Sequence, residues 1–125
     1  MKKKDTKMLD GLLREVVLYR DKKCQKCGRK AGRITTSHIY PKGIYPWMRY
    51  DIQNATMLCF RCHLHWWHKD IILANKWYEE TFSEERKEYL KKRSENKVPT
   101  SQDVEGIEKY LKGELNKLIK ENENN

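Results

Sequence analysis

Two cysteine pairs, Cys24-x-x-Cys27 and Cys59-x-x-Cys62, stand 31 residues apart in the chain. A Cys-x-x-Cys turn sets two sulfurs on one side of the backbone, and two such turns supply the four thiolates of a closed tetrahedral zinc site. Gly28, directly after the first pair, suits the left-handed residue that such a turn often needs. A site closed by four thiolates leaves no open position, so its Zn²⁺ folds the chain and does not catalyse. The competing readings are two disulfides or a redox-active pair. Four cysteines in two close pairs, in a chain whose start lacks a secretory signal, favour the metal.

Between the pairs lie Thr36-Ser37-His38-Ile39, a long loop over Tyr40–Asp51, and Asn54; His63 follows Cys62 directly. His38, Asn54 and His63, in that order inside the double cysteine frame, resemble the HNH (ββα-metal, His-Me finger) endonucleases. The run Ser-His-Ile-Tyr-Pro-Lys-Gly, with Met-Arg-Tyr-Asp-x-x-Asn and Leu-Cys-x-x-Cys-His after it, is most similar to phage recombination endonucleases, of which the lambdoid NinG proteins and phage Holliday-junction resolvases are the nearest groups. The resemblance spans about residues 22 to 70.

That resemblance implies a role for each matched residue. His38 is the general base, and imidazole chemistry agrees, since an unperturbed pKa of about 6.5 lets it take a proton from water near neutrality. His63 is a ligand of a catalytic Mg²⁺ or Mn²⁺, other divalent ions being open, and Asn54 pins the loop that bears His38. The products implied are a 5′-phosphate and a 3′-hydroxyl. One position departs from the pattern: Ser37 stands where the family places Asp or His as a second metal ligand, and a neutral hydroxyl is a weak substitute. His68 is the first candidate to complete the shell and His65 the second. On an ideal helix His63 and His68 lie roughly 140° apart, so they share a face only if the helix distorts.

The charge distribution points to a polyanion. The chain has 27 Lys/Arg and 18 Asp/Glu. Residues 1 to 69 hold 16 basic and 5 acidic side chains (+11), and residues 70 to 125 hold 11 and 13 (−2). Arg29, Lys30, Arg33, Lys42, Arg49, Arg61 and Lys69 bracket the His38 loop, and phosphate neutralisation is the economical use for them. Trp47, Trp66, Trp67 and Trp77 with nearby tyrosines read first as packing, and Trp47 in its Pro-flanked loop is the best candidate to stack on unpaired bases. A charged fraction of 36% against 38% apolar excludes a membrane-spanning or collagen-like chain.

Several elements must position these groups. Leu9, Leu12, Leu13, Val16 and Val17 recur at helical spacing within residues 5 to 20. From Cys24 to about Trp67 the pattern breaks into short pieces, among them Ile34-Thr-Thr and Ile52 to Leu58, which do not by themselves promise an ordinary core. Phe60 to about Tyr78 reads as helix, broken near Lys69-Asp70, with Asp70 capping a new segment. Ser83 caps a charged helix to about Glu95. After the linker Asn96-Lys-Val-Pro-Thr, Val104, Ile107, Leu111, Leu115 and Leu118 form a stripe that needs a partner, either the first helix or a second chain.

The sequence thus predicts an α+β fold, a small zinc-stapled ββα-metal core with flanking helices: an N-terminal helix at 1–21, the core at 22–80 and a helical extension at 81–125. The function expected is metal-dependent cleavage of branched or duplex DNA, in a cytoplasmic setting (the host's, if the chain is phage-encoded), with no membrane partner and with a homodimer as the candidate assembly. The rival is a non-catalytic zinc-knuckle DNA-binding module with a decayed HNH site.

Overall fold

The computed structural model describes residues 1–124. Helix α1 (Lys3–Asp21) buries Leu9, Leu13, Val16 and Val17, the stripe its sequence spacing predicts. It stops at Lys22, which adopts a left-handed conformation (φ 67°) and returns its N–H to the Leu18 carbonyl at 2.7 Å. The chain then enters the first cysteine turn, where Gly28 also has a positive φ of 81°.

Strands β1 (Ile34–His38) and β2 (Ala55–Cys59) pair antiparallel, with Ile34 opposite Cys59 and His38 opposite Ala55. This register puts the cysteines at one end of the ribbon and His38 at the other, roughly 13 Å along at about 3.3 Å per residue. Two short 3₁₀ turns, Pro46–Met48 and Ile52–Asn54, shape the connection. The run Ile52 to Leu58 is therefore divided: Asp51 caps its first part by accepting from the Gln53 N–H at 3.0 Å, and only the remainder is strand.

All five residues of β2 are buried. The short central pieces thus do have an apolar core, supplied by their neighbours: Ile34, Ile52, Met57 and Leu58 pack with Leu9, Leu13, Val16 and Val17 of α1 and with Ile107 and Leu111 of α5 (Val104–Glu123). Each fully buried Leu, Val or Met contributes about 1.5–3 kcal/mol, so this shared core is a second support beside the cysteine frame. The C-terminal stripe is covered by the chain's own α1, with Leu115 and Leu118 packed at its edge. That face therefore offers no argument for a second copy.

After β2 come a helical turn, α2 (Phe60–Cys62), and a π turn, His63–Trp67. Helix α3 (Ile71–Thr81) is capped by Asp70, which accepts from the Leu73 N–H at 3.3 Å; α4 (Glu84–Glu95) is capped by Ser83, which accepts from the Arg86 N–H at 3.1 Å. Both caps fall where the sequence places them. Among the described residues, no helix is long and apolar enough to cross a membrane.

Candidate metal and nuclease site

The four cysteine sulfurs lie within 4.8 Å of one another, and Cys27 Sγ and Cys59 Sγ are 3.7 Å apart. Four sulfurs at about 2.3 Å from a tetrahedral Zn²⁺ would be spaced about 3.8 Å apart, so the cluster has the size of a zinc site. Its electrostatics agree. Burial raises the Cys24 thiol, but backbone N–H groups of Cys27, Cys59 and Lys26 outweigh it and bring Cys24 down to about 7. Burial and the thiols of Cys59 and Cys24 push Cys62 up, so one sulfur ionises readily and its neighbour resists. A divalent cation removes that conflict by stabilising every thiolate at once.

At the far end of the ribbon, a cleft of about 1040 Å³ opens between the His38 strand end and α3. His38, His63, His68, Thr36, Lys42 and Tyr78 line it. His38 Nε2 lies 2.8 Å from the Arg49 carbonyl oxygen. A carbonyl only accepts, so Nε2 carries the proton and the neutral ring keeps its lone pair on Nδ1. Burial holds His38 below its ordinary pKa; the bond to Arg49 opposes this, and the charges of Lys42 and Arg49 reinforce it.

His63 has the opposite tautomer. Thr35 Oγ1 donates its one hydrogen to the Leu58 carbonyl at 2.8 Å and lies 2.8 Å from His63 Nδ1, so Nδ1 must donate to Thr35. That leaves Nε2 as the bare nitrogen, the arrangement that a metal-ligating histidine uses when its other nitrogen is anchored. Burial lowers His63 to about 4, with help from His68, His38 and Lys42.

His68 stands beside it, the two rings stacked 4.7 Å apart at 30°. The ideal-helix spacing predicted a wide separation. The π turn is the physical reason for the difference: the His68 N–H bonds to the His63 carbonyl at 3.2 Å, and a ladder of i→i+5 bonds brings residues five apart nearly over one another. His65 is exposed, packs edge-on to Phe60, and does not line the cleft.

Asn54 is fully buried, and its amide is spent on backbone. Oδ1 accepts from the Tyr40 N–H at 2.8 Å, while Nδ2 donates to the Tyr40 and Met48 carbonyls at 3.0 and 3.2 Å. Ser37 is buried with its hydroxyl unpartnered, as is the Thr36 hydroxyl on the cleft wall.

The basic residues divide. Lys42 lines the cleft, and Arg29, Lys30, Arg33, Arg61 and Lys69 are exposed, with Arg33 over the Phe60 ring. Arg49 is engaged internally, gripping Asp10 with two bonds of 3.1 and 2.8 Å. Trp47 donates its Nε1–H to the Arg93 carbonyl at 2.7 Å and carries Lys97 over its ring, so it packs within the fold.

Sequence reasoning missed a second set of residues altogether. Arg86, Tyr89, Leu90 and Arg93 form the inward face of α4, at i, i+3, i+4 and i+7, and three of the four are polar. Their helical spacing was the available signal, but a search for apolar periodicity passes over it.

A two-stranded antiparallel ribbon followed by a helical turn, with a thiol cluster at one end and imidazoles converging on a cleft at the other, is an α+β arrangement of the HNH type. Residues 24–66 match the family model of the HNH endonucleases, and the match takes in both cysteine pairs, both strands and most of the π turn. It implies a nuclease or nucleic-acid-binding function with DNA as the substrate class. No curated protein and no solved structure matches the chain.

Proposed function

We propose that the chain is a metal-dependent DNA endonuclease in which His38 is the general base, Asn54 holds the base's loop, and His63 with His68 binds the catalytic cation. The observation that carries the reading is the pair of opposed tautomers: two imidazoles on one cleft, His38 with Nδ1 free and His63 with Nε2 free, each fixed by a bond on its other nitrogen. His38 Nδ1 takes a proton from a water whose oxygen attacks phosphorus. The bond from phosphorus to the 3′ oxygen breaks, and that oxygen leaves with a proton from solvent, giving a 5′-phosphate and a 3′-hydroxyl. The chemistry supplied by a divalent cation at His63 is positive charge opposite the phosphate and the departing oxygen.

The donors fit such an ion in an unusual way. They are imidazole nitrogens and an unpartnered Thr36 hydroxyl, while Asp10 is tied to Arg49. Imidazole suits Ni²⁺ or Zn²⁺ better than Mg²⁺, so of the family's expected Mg²⁺ and Mn²⁺ the softer Mn²⁺ is favoured, with Ni²⁺ above both. Supercoiled plasmid incubated with each ion in turn tests this. Nicking that is lost in His38→Ala while DNA affinity stays within about threefold supports the reading, because the base contributes little to phosphate binding.

Ser37 favours one rival. A buried neutral hydroxyl stands where the resemblance calls for a charged or imidazole ligand, as in a DNA-binding module whose site has decayed. A protein that shifts plasmid without cutting it under every ion would establish that rival. The role in phage recombination, the preference for branched DNA and the homodimer rest on the sequence resemblance and on the two-fold symmetry of a junction. Light scattering, with cleavage of four-way against linear DNA, tests them.

A further inference from the structure

The holds on His38 run through one turn. The Ile39 N–H donates to the Asn54 carbonyl at 2.9 Å, and the Asn54 amide fixes Tyr40 on one side and Met48 on the other. Met48 precedes Arg49, whose carbonyl orients the His38 ring. Whatever fixes Asn54 therefore fixes the base.

Asn54 sits in a single 3₁₀ turn, and that turn is gripped from outside. Arg20 of α1 donates to the Ile52 and Ala55 carbonyls at 2.7 and 2.6 Å. Arg86 of α4 donates to the Gln53 and Ala55 carbonyls at 3.0 and 2.9 Å. Two planar forks thus take the carbonyls on both sides of Asn54. The arrangement is costly, since burial and the nearby Arg20 charge lower the Arg86 guanidinium to about 10, with Asp21 and Asp51 partly compensating. Seating α4 does not require it: buried Leu90 and the Ser83 cap already do that. What Arg86 alone supplies is a rigid two-pronged donor on the main chain flanking Asn54.

We propose that Arg86 is a positioning residue of this nuclease, acting through the Ile52–Ala55 turn and Asn54 to hold the loop that bears His38. The inference rests on the nuclease reading and makes α4, which lies outside the matched 24–66 segment, part of the working site.

Arg86→Gln and Arg86→Lys in the full zinc-loaded chain test it, with Lys91→Ala on the exposed face of the same helix as control. Two readouts are taken: native-state amide hydrogen exchange, and kcat and KM for plasmid nicking. The expected result is local. Exchange at Ile39 and Tyr40 accelerates about tenfold or more while amides in α1 and α5 hold their rates, because only the hold on the turn has been loosened. In parallel kcat falls about 10- to 100-fold with KM within about threefold, the signature of a displaced base rather than of weaker binding. Arg86→Lys, which keeps the charge and loses the fork, falls between wild type and Arg86→Gln.

Unchanged exchange at Ile39 and Tyr40 overturns the proposal. So does a uniform acceleration of all amides, with kcat tracking the folded fraction, since that marks a general stability effect. If Arg86→Gln does not fold, Arg86→Lys decides by the same two criteria. Wild type that cuts no DNA sinks the nuclease reading instead, and the exchange data still decide whether Arg86 holds the turn.

Discussion

Replacing Asn54 with Asp changes one group, NH₂ to O⁻, at a site where the amide makes three bonds to backbone. The wild-type side chain accepts from the Tyr40 N–H and donates to the Tyr40 and Met48 carbonyls at 3.0 and 3.2 Å. Aspartate keeps the first bond, loses both others, and sets an anionic oxygen against two carbonyl oxygens in a fully buried position. Two lost bonds at about 1 kcal/mol each, with repulsion added, give a loss of about 2–4 kcal/mol. For a chain of this size that is a fall in Tm of roughly 10 °C.

The same repulsion raises the pKa of the new carboxyl above its unfolded value of about 3.9. A carboxyl raised by folding is tolerated best below the unfolded pKa and costs progressively more as pH rises through the folded one. Asn54→Asp should therefore differ most from wild type at pH 7–8 and recover towards about pH 5, where the neutral acid donates one bond again. Asn54→Ala loses about as much at pH 7 without the pH dependence. Urea unfolding followed by tryptophan fluorescence, with zinc content checked in each sample, reads both. An Asp variant within about 0.5 kcal/mol of wild type across that range would show that the amide does not bridge Tyr40 and Met48, and the account of how His38 is held would fail with it.

Elemental analysis after gel filtration should give one zinc per chain, and Cys59→Ser or a strong chelator should unfold the cysteine end of the ribbon, since metal binding and folding are coupled there. His63 has its folded pKa lowered to about 4, so the unfolded chain binds the extra proton first and stability falls as pH drops from about 6.5 towards 4; His63→Gln should flatten that slope in urea titrations. Thr35→Val removes the oxygen that fixes the His63 tautomer, and should weaken divalent-ion binding about 10- to 100-fold by calorimetry while leaving the cysteine-bound zinc in place.

The groups legible in the sequence were those set by local chemistry. The Cys-x-x-Cys pairs, the Asp70 and Ser83 caps and the stripe of α1 each depend on residues a few positions apart, and spacing alone reveals them. Asn54 became readable only through its resemblance, because its partners at Tyr40 and Met48 follow from how a loop returns on itself. The π turn could not be read at all: His63–Trp67 has the residue types of an ordinary helix. Trp67 donates to the His38 carbonyl at 3.3 Å and packs against Trp77, contacts that exist only after α3 has docked. The inward arginines of α4 escaped for a related reason, since their acceptors are main-chain carbonyls, which the side-chain pattern does not encode.

The wide turn at His63–Trp67 also has a consequence for how much change this chain can tolerate. It accommodates one residue more than an α-helical path over the same rise. Deleting one residue there would let the helix rewind, and at about 100° per residue everything downstream would rotate by that amount relative to β2. Asp70 and the cleft-facing side chains Ile71, Ala74 and Tyr78 would turn with it, and His68 would leave the side of His63. The spacing of the two histidines and the facing of α3 are thus set by the same extra residue. In this segment length is constrained more tightly than side-chain identity, and a library varying both should lose cleft integrity to single-residue deletions well before it loses it to substitutions at the exposed Leu64 or His65.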